Sequence, residues 1–323
     1  IMPARERALC ALASGADSVF ALPFPYSAGS AEFFAEAGVY ILYSLGCDTI
    51  AFGSESGDVD ALMNEAKKAK CKPASNEGTA SALPNLSPND ILGVEYIRAG
   101  LKINPSLEYF TIKREGAGHD SSAMDGLTIS SSFAREQMKA GIIPTGLTEK
   151  CEEVIRDCIK EGTCPTSSKT IGSAEFTAFR MSVTDAFEDC AECGGGVAQR
   201  LADCARRTAN FVEMMKLAST KKYTDARLRR AALFGLCGVK NSDLKCRPAY
   251  VRLIAFSGES AGKTGETVNK ALIPVVSNVR NVPDGENAER QFFLEQTAEA
   301  LFSFGLPVPR KCRTFVSRST KKV

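Results

Sequence analysis

"CDTIAFGSESGDVDALMNEAKKAK" occupies residues 47–70. Its first half, CDTIAFGSE, has the β-branched and aromatic content of a strand and ends in a turn. Its second half has helical spacing, with Asp58 in the N-cap position. A strand that turns directly into a helix is the repeating unit of a parallel α/β sheet. The alternation continues on both sides. Residues 17–23 (DSVFALP) read as a short strand, and 30–46 as a helix with an apolar stripe closed by glycine. Residues 87–99 read as an amphipathic helix opened by Pro88, and 107–114 (LEYFTIKR) as a third strand. Residues 72–87, rich in Ser, Pro, Asn and Ala, read as a loop.

Beyond residue 145 the pattern changes. Residues 149–162, 174–193, 197–220 and 224–238 read as helices. A strand at 250–256, a short strand at 273–277 and a helix at 286–305 follow. The expected architecture is a parallel-sheet α/β domain over 1–145 and a helix-rich domain over 146–323. The basic tail RKCRTFVSRSTKKV is expected to be mobile.

The net charge of +2 excludes a strong whole-molecule field, so any nucleic-acid contact must come from local basic patches. No apolar run is long enough to span a bilayer, and no membrane partner is expected. Twelve cysteines are scattered along the chain, and the one close pair is Cys190 and Cys193. A zinc site would need two further ligands at suitable spacing, and His119 is the single histidine. Free thiols, no metal and a cytoplasmic location are expected.

Several stretches bear on chemistry. GESAGKTGE (258–266) is one residue short of a P-loop, because three residues rather than four separate Gly258 from Gly262. A phosphate loop must curl its amides around the anion at fixed length, so this stretch reads as a strand-to-helix turn. FGSESGD (52–58) lies where a strand ends, the place where open α/β sheets bind ligands. Gly53 there would let a nucleotide approach the backbone, or the segment is a plain turn and cap. Asn89 is either a cap or an amide aimed at a ligand. IKREGAGHD (112–120) sets Lys113 and Arg114 before a Gly-rich loop, which suits polyphosphate. His119 there reads by itself as a loop residue bonded to Asp120.

ISSSFAREQMKAG (129–141) opens a helix on three hydroxyls and follows them with Arg135. Either the serines only cap the helix, or they and Arg135 hold an anion. KKYTDARLRRAALFGL (221–236) gathers Lys221, Lys222, Arg227, Arg229 and Arg230 around Tyr223 at a helix start. That suits RNA phosphate with base stacking, or a solvated helix face.

Taken in order, RERALCALASGADSVFALPFPYS, CDTIAFGSESGD, SPNDILGVEYIRA, TIKREGAGHD, ISSSFAR, KKYTDARLRR and AYVRLIAF resemble successive landmarks of the tRNA(Met) cytidine acetate ligases, a family of the nucleotidyltransferase superfamily. The resemblance runs from about Arg5 and thins after about Gly258. It implies a Rossmann-like core, ATP as substrate with magnesium, acetate, and elongator tRNA(Met) as acceptor. It also implies acetyl-adenylate formation and transfer to the N4 amine of the wobble cytidine. ATP contacts are implied at Gly53, Asn89, Arg114, Ser130, Ser132 and Arg135, with tRNA contacts at Lys221, Lys222, Arg227, Arg229 and Arg230. No protein nucleophile is required. The superfamily's His-x-Gly-His motif is absent from the chain, which opens on Ile1, so the expectation is a longer native protein whose central strand precedes this residue. The region 72–87 is shorter than the family's usual one, and the loop of His119 lacks a tyrosine common there. Two other readings remain at this level: a small-molecule adenylyltransferase of the same superfamily, and a non-catalytic RNA-binding homologue.

Overall fold

The computed structural model describes residues 1–68, 86–114, 130–182 and 186–308. Residues 72–85 of the stretch 72–87 read above as a loop, the stretch with His119 and the basic tail lie outside the described residues.

Strand β1 (Ser18–Ala21) is followed by helix α2 (Ala31–Ser44), itself preceded in the chain by α1 (Ala4–Ala13). Strand β2 (Thr49–Ser54) alternates in register with its period of two: Ile50, Phe52 and Ser54 are buried, and Thr49, Ala51 and Gly53 are exposed. It leads into α3 (Val59–Lys68), which Asp58 caps by accepting the Ala61 N–H at 2.9 Å. Helix α4 (Pro88–Ile103) then returns the chain to β3 (Glu108–Lys113), which pairs in parallel with β2. One apolar cluster fastens these elements: Val39 of α2, Ile50 and Phe52 of β2, Leu62 of α3, and Val94 and Ile97 of α4. Gly93 lets α4 approach β2, since a Cβ there would lie 2.6 Å from the Phe52 ring.

Strand β1 does not extend this parallel pair. It runs antiparallel to β4 (Val251–Phe256), which pairs in parallel with β5 (Val275–Val276). Strand-helix alternation shows that a strand exists but not which strand it pairs with. Side-chain burial supplies the reason here. Val251 of β4 packs on Ile41 of α2 and on Leu45, its C-cap, and Ala255 packs on Ala8 and Leu12 of α1. Helix α2 therefore serves two clusters from different sides of one helix, and the three-stranded sheet draws strands from both sides of residue 145. Parallel pairing survives in β2–β3 and β4–β5, within two small sheets instead of one continuous sheet.

Among the described residues the remaining α-helices are α5 (Ser131–Lys139), α6 (Glu149–Lys160), α7 (Ser168–Met181), α8 (Val197–Arg207), α9 (Phe211–Ala218), α10 (Asp225–Cys237), α11 (Asn241–Lys245), α12 (Ala261–Lys270) and α13 (Glu286–Phe304). Helices α7 to α10 enclose Phe179, Leu201, Met214, Met215 and Leu228, giving the expected helix-rich C-terminal half. The stretch 197–220 is two helices rather than one, because Asn210 caps α9 by accepting the Glu213 N–H at 3.0 Å. The stretch 174–193 is also broken: α7 stops at Met181, and Glu192 takes a left-handed φ of 64°. The Gly-Lys-Thr of the P-loop look-alike lies inside α12, where buried Thr264 is hydrogen-bonded to Ser18 at 2.6 Å. Among the described residues no helix is long and apolar enough to cross a membrane.

The close approach at Gly93 is testable. Gly93→Ala forces a methyl into the Phe52 ring and should cost about 1–3 kcal/mol. Urea unfolding should show a lower midpoint with an unchanged slope; an unchanged midpoint would mean that α4 shifts freely on β2.

Candidate functional site

Parallel pairing sends the carboxyl ends of β2 and β3 to one edge, with Gly53 opposite Ile112 and Ser54 opposite Lys113. Arg114 continues the ladder, its N–H donating to the Ser54 carbonyl at 2.9 Å. The Arg114 stem lies beside Gly53: a Cβ at residue 53 would meet Arg114 Cγ at 3.5 Å and Cδ at 3.8 Å. Gly57 is required as glycine twice over, by its φ of 68° and by Lys113 Cβ only 2.7 Å from where its own Cβ would stand.

The turn Ser54-Glu55-Ser56 is fastened to the first turn of α4. The buried Asp90 carboxylate accepts from Ser54 Oγ at 2.5 Å, from Ser56 Oγ at 3.0 Å and from the Ser56 N–H at 3.2 Å. Glu55 accepts from the Asn89 N–H at 3.1 Å and from Asn89 Nδ2 at 2.6 Å. Ser87, the N-cap of α4, makes no side-chain cap bond, so Glu55 supplies a cap and negative charge from another element. Gly53, Asn89 and Arg114 thus share one edge. It offers open backbone, a carboxamide and an exposed cation (beside exposed Lys113) to a polar, anionic ligand. Glu55 and Asp90 were missed as site-building residues. The local sequence shows them only as acidic residues beside a strand-end turn and a Pro-Asn helix start, which does not mark them out.

Ser130, Ser132 and Arg135 lie on α5. Ser130 Oγ caps the helix, accepting the Phe133 N–H at 3.0 Å, and Arg135 donates to Ser132 Oγ at 3.0 Å. Helix α5 is anchored through Met138 to Met2, Ile155, Cys158 and Cys164, a cluster separate from the one beneath β2. The capping role is therefore realised, and residues 115–129, which join β3 to α5, lie outside the described residues.

The five basic residues around Tyr223 divide into two groups. Arg227 pairs with Glu192 at 3.4 Å and donates to the Gly194 carbonyl at 3.2 Å; Arg230 donates to Glu192 at 2.9 Å. Both are more buried than the others and tie α10 to the turn before α8. Lys221, Lys222 and Arg229 are exposed. Arg229 is bonded to Asp225 at 2.6 Å, and Lys222 Nζ stands 5.1 Å from the Tyr223 ring centre. Tyr223 is half-buried, with its hydroxyl donating to the Gly195 carbonyl at 2.8 Å. Arg200 of α8 adds a cation 5.7 Å from the same ring, a neighbour brought in by the helix packing and invisible in the local sequence.

Cys190 and Cys193 are buried free thiols. Burial pushes the Cys193 thiol up to about 12, with Cys190 and Glu192 acting in the same direction, and burial also raises Cys190. Among the described residues no three or more His, Cys, Asp or Glu side chains converge as a metal site.

Comparison with known proteins identifies the chain. The family model described as HIGH Nucleotidyl Transferase matches residues 1–84 and 74–314. The tRNA(Met) cytidine acetate ligase of Listeria monocytogenes is 30% identical over 88% of this chain and 79% of its own length. That of Thermotoga maritima is 28% identical over 90% of this chain and 80% of its own. The crystal structure of Thermotoga maritima TmcAL in its apo form superposes with a TM-score of 0.86 at 26% identity, over 98% of this chain and 87% of that one. A second crystal structure of that protein, bound with alpha-thio ATP, has the same fold, with a TM-score of 0.86 at 24% identity, over 98% of this chain and 86% of that one. The chain belongs to the HIGH nucleotidyl transferase family and, within it, to the tRNA(Met) cytidine acetate ligases.

The Glu192 clamp yields a prediction. Glu192→Ala leaves Arg227 and Arg230 without their shared carboxylate and should destabilise the fold by about 1–3 kcal/mol. Thermal unfolding followed by circular dichroism checks it; an unaltered midpoint would make the clamp energetically silent.

Proposed function

We propose that the chain is an ATP-dependent ligase that makes N4-acetylcytidine at the wobble position of elongator tRNA(Met). The observation that carries this reading is the convergence of Gly53, Asn89 and Arg114 at the carboxyl ends of β2 and β3, in a chain of this family. In the first step an acetate oxygen attacks the α-phosphorus of ATP. A P–O bond forms, the bridging P–O bond to the β-phosphate breaks, and pyrophosphate leaves. In the second step the cytidine N4 amine attacks the acetyl carbonyl carbon. The C–O bond to AMP breaks, and the amine gives up one proton.

No side chain need become covalently attached, so the protein's work is placement and charge stabilisation. Gly53 leaves the backbone open to the nucleoside. Asn89 offers a hydrogen bond, and Arg114 neutralises the polyphosphate. Ser130, Ser132 and Arg135 supply a second phosphate contact; a guanidinium has donors to spare beyond the one that Arg135 gives Ser132. Magnesium enters as part of the MgATP substrate. Lys221, Lys222 and Arg229 meet tRNA phosphates, while Arg227 and Arg230 hold the platform. The setting is the cytoplasm, where tRNA and ATP are both found.

Acetate-dependent AMP formation, followed by mass analysis of tRNA(Met) nucleosides, tests the reading. AMP without any acetylcytidine would favour a small-molecule adenylyltransferase. RNA binding without AMP would favour a non-catalytic homologue.

Two variant series refine it. Arg114→Ala and Arg135→Ala should each weaken ATP binding about tenfold, the loss expected for one charge-assisted hydrogen bond. Unchanged calorimetric affinity in both would remove the phosphate assignment. Replacing Lys221, Lys222 and Arg229 together by Ala should flatten the salt dependence of tRNA binding by roughly 0.7–0.9 in log–log slope for each phosphate that is no longer neutralised. Arg227→Ala should instead lower the unfolding temperature; an unaltered slope in the triple variant would return that surface to a solvated helix face.

A further inference from the structure

Asn89 carries two chemically opposite ends on one small side chain, and something must decide which end meets a ligand. An ionised carboxylate can only accept hydrogen bonds, so Glu55 must take the nitrogen end. The 2.6 Å contact from Asn89 Nδ2 to Glu55 Oε1 does this, and the 3.1 Å contact from the Asn89 N–H to Oε2 fixes the carboxylate at the same time. Asn89 is then left with its carbonyl oxygen, Oδ1, as its unspent acceptor, turned to the side away from Glu55, while the second Nδ2 hydrogen stays on the nitrogen that Glu55 holds. Glu55 is itself placed by its neighbours. Ser54 and Ser56 on either side of it are both held by the buried Asp90, the residue after Asn89. The two pairs interlock: residues 54 and 56 bond to 90, and residue 55 bonds to 89.

We infer that Glu55 is a specificity-determining positioning residue that sets Asn89 to accept a hydrogen bond from the nucleoside, and that Asp90 holds the turn in which it does so. This rests on the nucleotide site proposed above. The ligand group that meets Oδ1 must be a donor. On an adenine nucleotide that donor is either the exocyclic 6-amine or a ribose hydroxyl. The hypoxanthine nucleotide ITP carries a carbonyl oxygen where ATP carries the amine, and would set two acceptors face to face. Removing a ribose hydroxyl would instead leave Oδ1 unsatisfied.

The test measures calorimetric affinity of the wild-type protein and of Glu55→Gln for ATP, ITP, 2′-deoxy-ATP and 3′-deoxy-ATP, each with magnesium. Wild type should prefer ATP over one analogue class by about tenfold or more, the cost of one mismatched buried hydrogen bond. Loss on ITP identifies the 6-amine; loss on a deoxy analogue identifies the hydroxyl. In Glu55→Gln a carboxamide faces a carboxamide, and Asn89 can flip because either end now finds a partner. That variant should lose most of the preference while keeping its unfolding temperature within a few degrees. A merely structural role would lower all four affinities equally and leave their ratios intact, which would overturn the inference. Asp90→Ala gives the second arm: it removes the one oxygen, Oδ1, that takes all three donors, and should narrow the same preference. A Glu55→Gln protein with wild-type ratios overturns the proposal whatever Asp90→Ala does. Failure of the wild-type protein to bind any of the four would instead count against the nucleotide site itself.

Discussion

Two parallel strands end on the same side, and that constraint organises the region around β2 and β3. Every turn that leaves a carboxyl end must compete for the same edge, and the backbone there runs out of ladder partners together. The structure meets this by stapling the exit of β2 to the start of α4 through Asp90 and Glu55. Helix α4 is in turn seated on β2 through Gly93 and Phe52. The edge is therefore rigid where the backbone is open at Gly53, a combination suited to reading a ligand through few contacts.

The sheets show what strand-helix alternation can and cannot say. Pattern and composition located β2, β3, α2 and α3 to within a few residues: β2 and α3 bury one face with a regular period, β3 is β-branched and aromatic, and α2 is apolar on two sides. It could not show that β1 turns away to β4, because pairing partners depend on burial between residues more than two hundred positions apart. The same limit explains the helices. A helix broken by a cap at Asn210 keeps an apolar stripe on both sides of the break, and so looks continuous in sequence.

The candidate site was legible in the same partial way. Gly53, Asn89 and Arg114 stood out through position: strand end, helix start, strand end. Glu55 and Asp90 did not, since acidic residues near turns are common and their value here comes from contact across 34 to 36 residues. The basic stretch at 221–230 was legible as composition, but its division of labour was not. Arg227 and Arg230 look like phosphate binders until Glu192 is seen beneath them, while Arg200 joins the cluster only through the packing of α8. Charge counts alone overstate how many cations such a surface can offer, because folding consumes some of them in its own ion pairs.

The most direct test of the proposed nucleotide site is a crystal structure of this chain with alpha-thio ATP. The account predicts the nucleoside against Gly53, with Asn89 Oδ1 within hydrogen-bond distance of a nucleoside donor, Asn89 Nδ2 still on Glu55, and the Arg114 guanidinium on the polyphosphate. A nucleotide bound away from the ends of β2 and β3, with Asn89 and Arg114 touching none of it, would contradict the account.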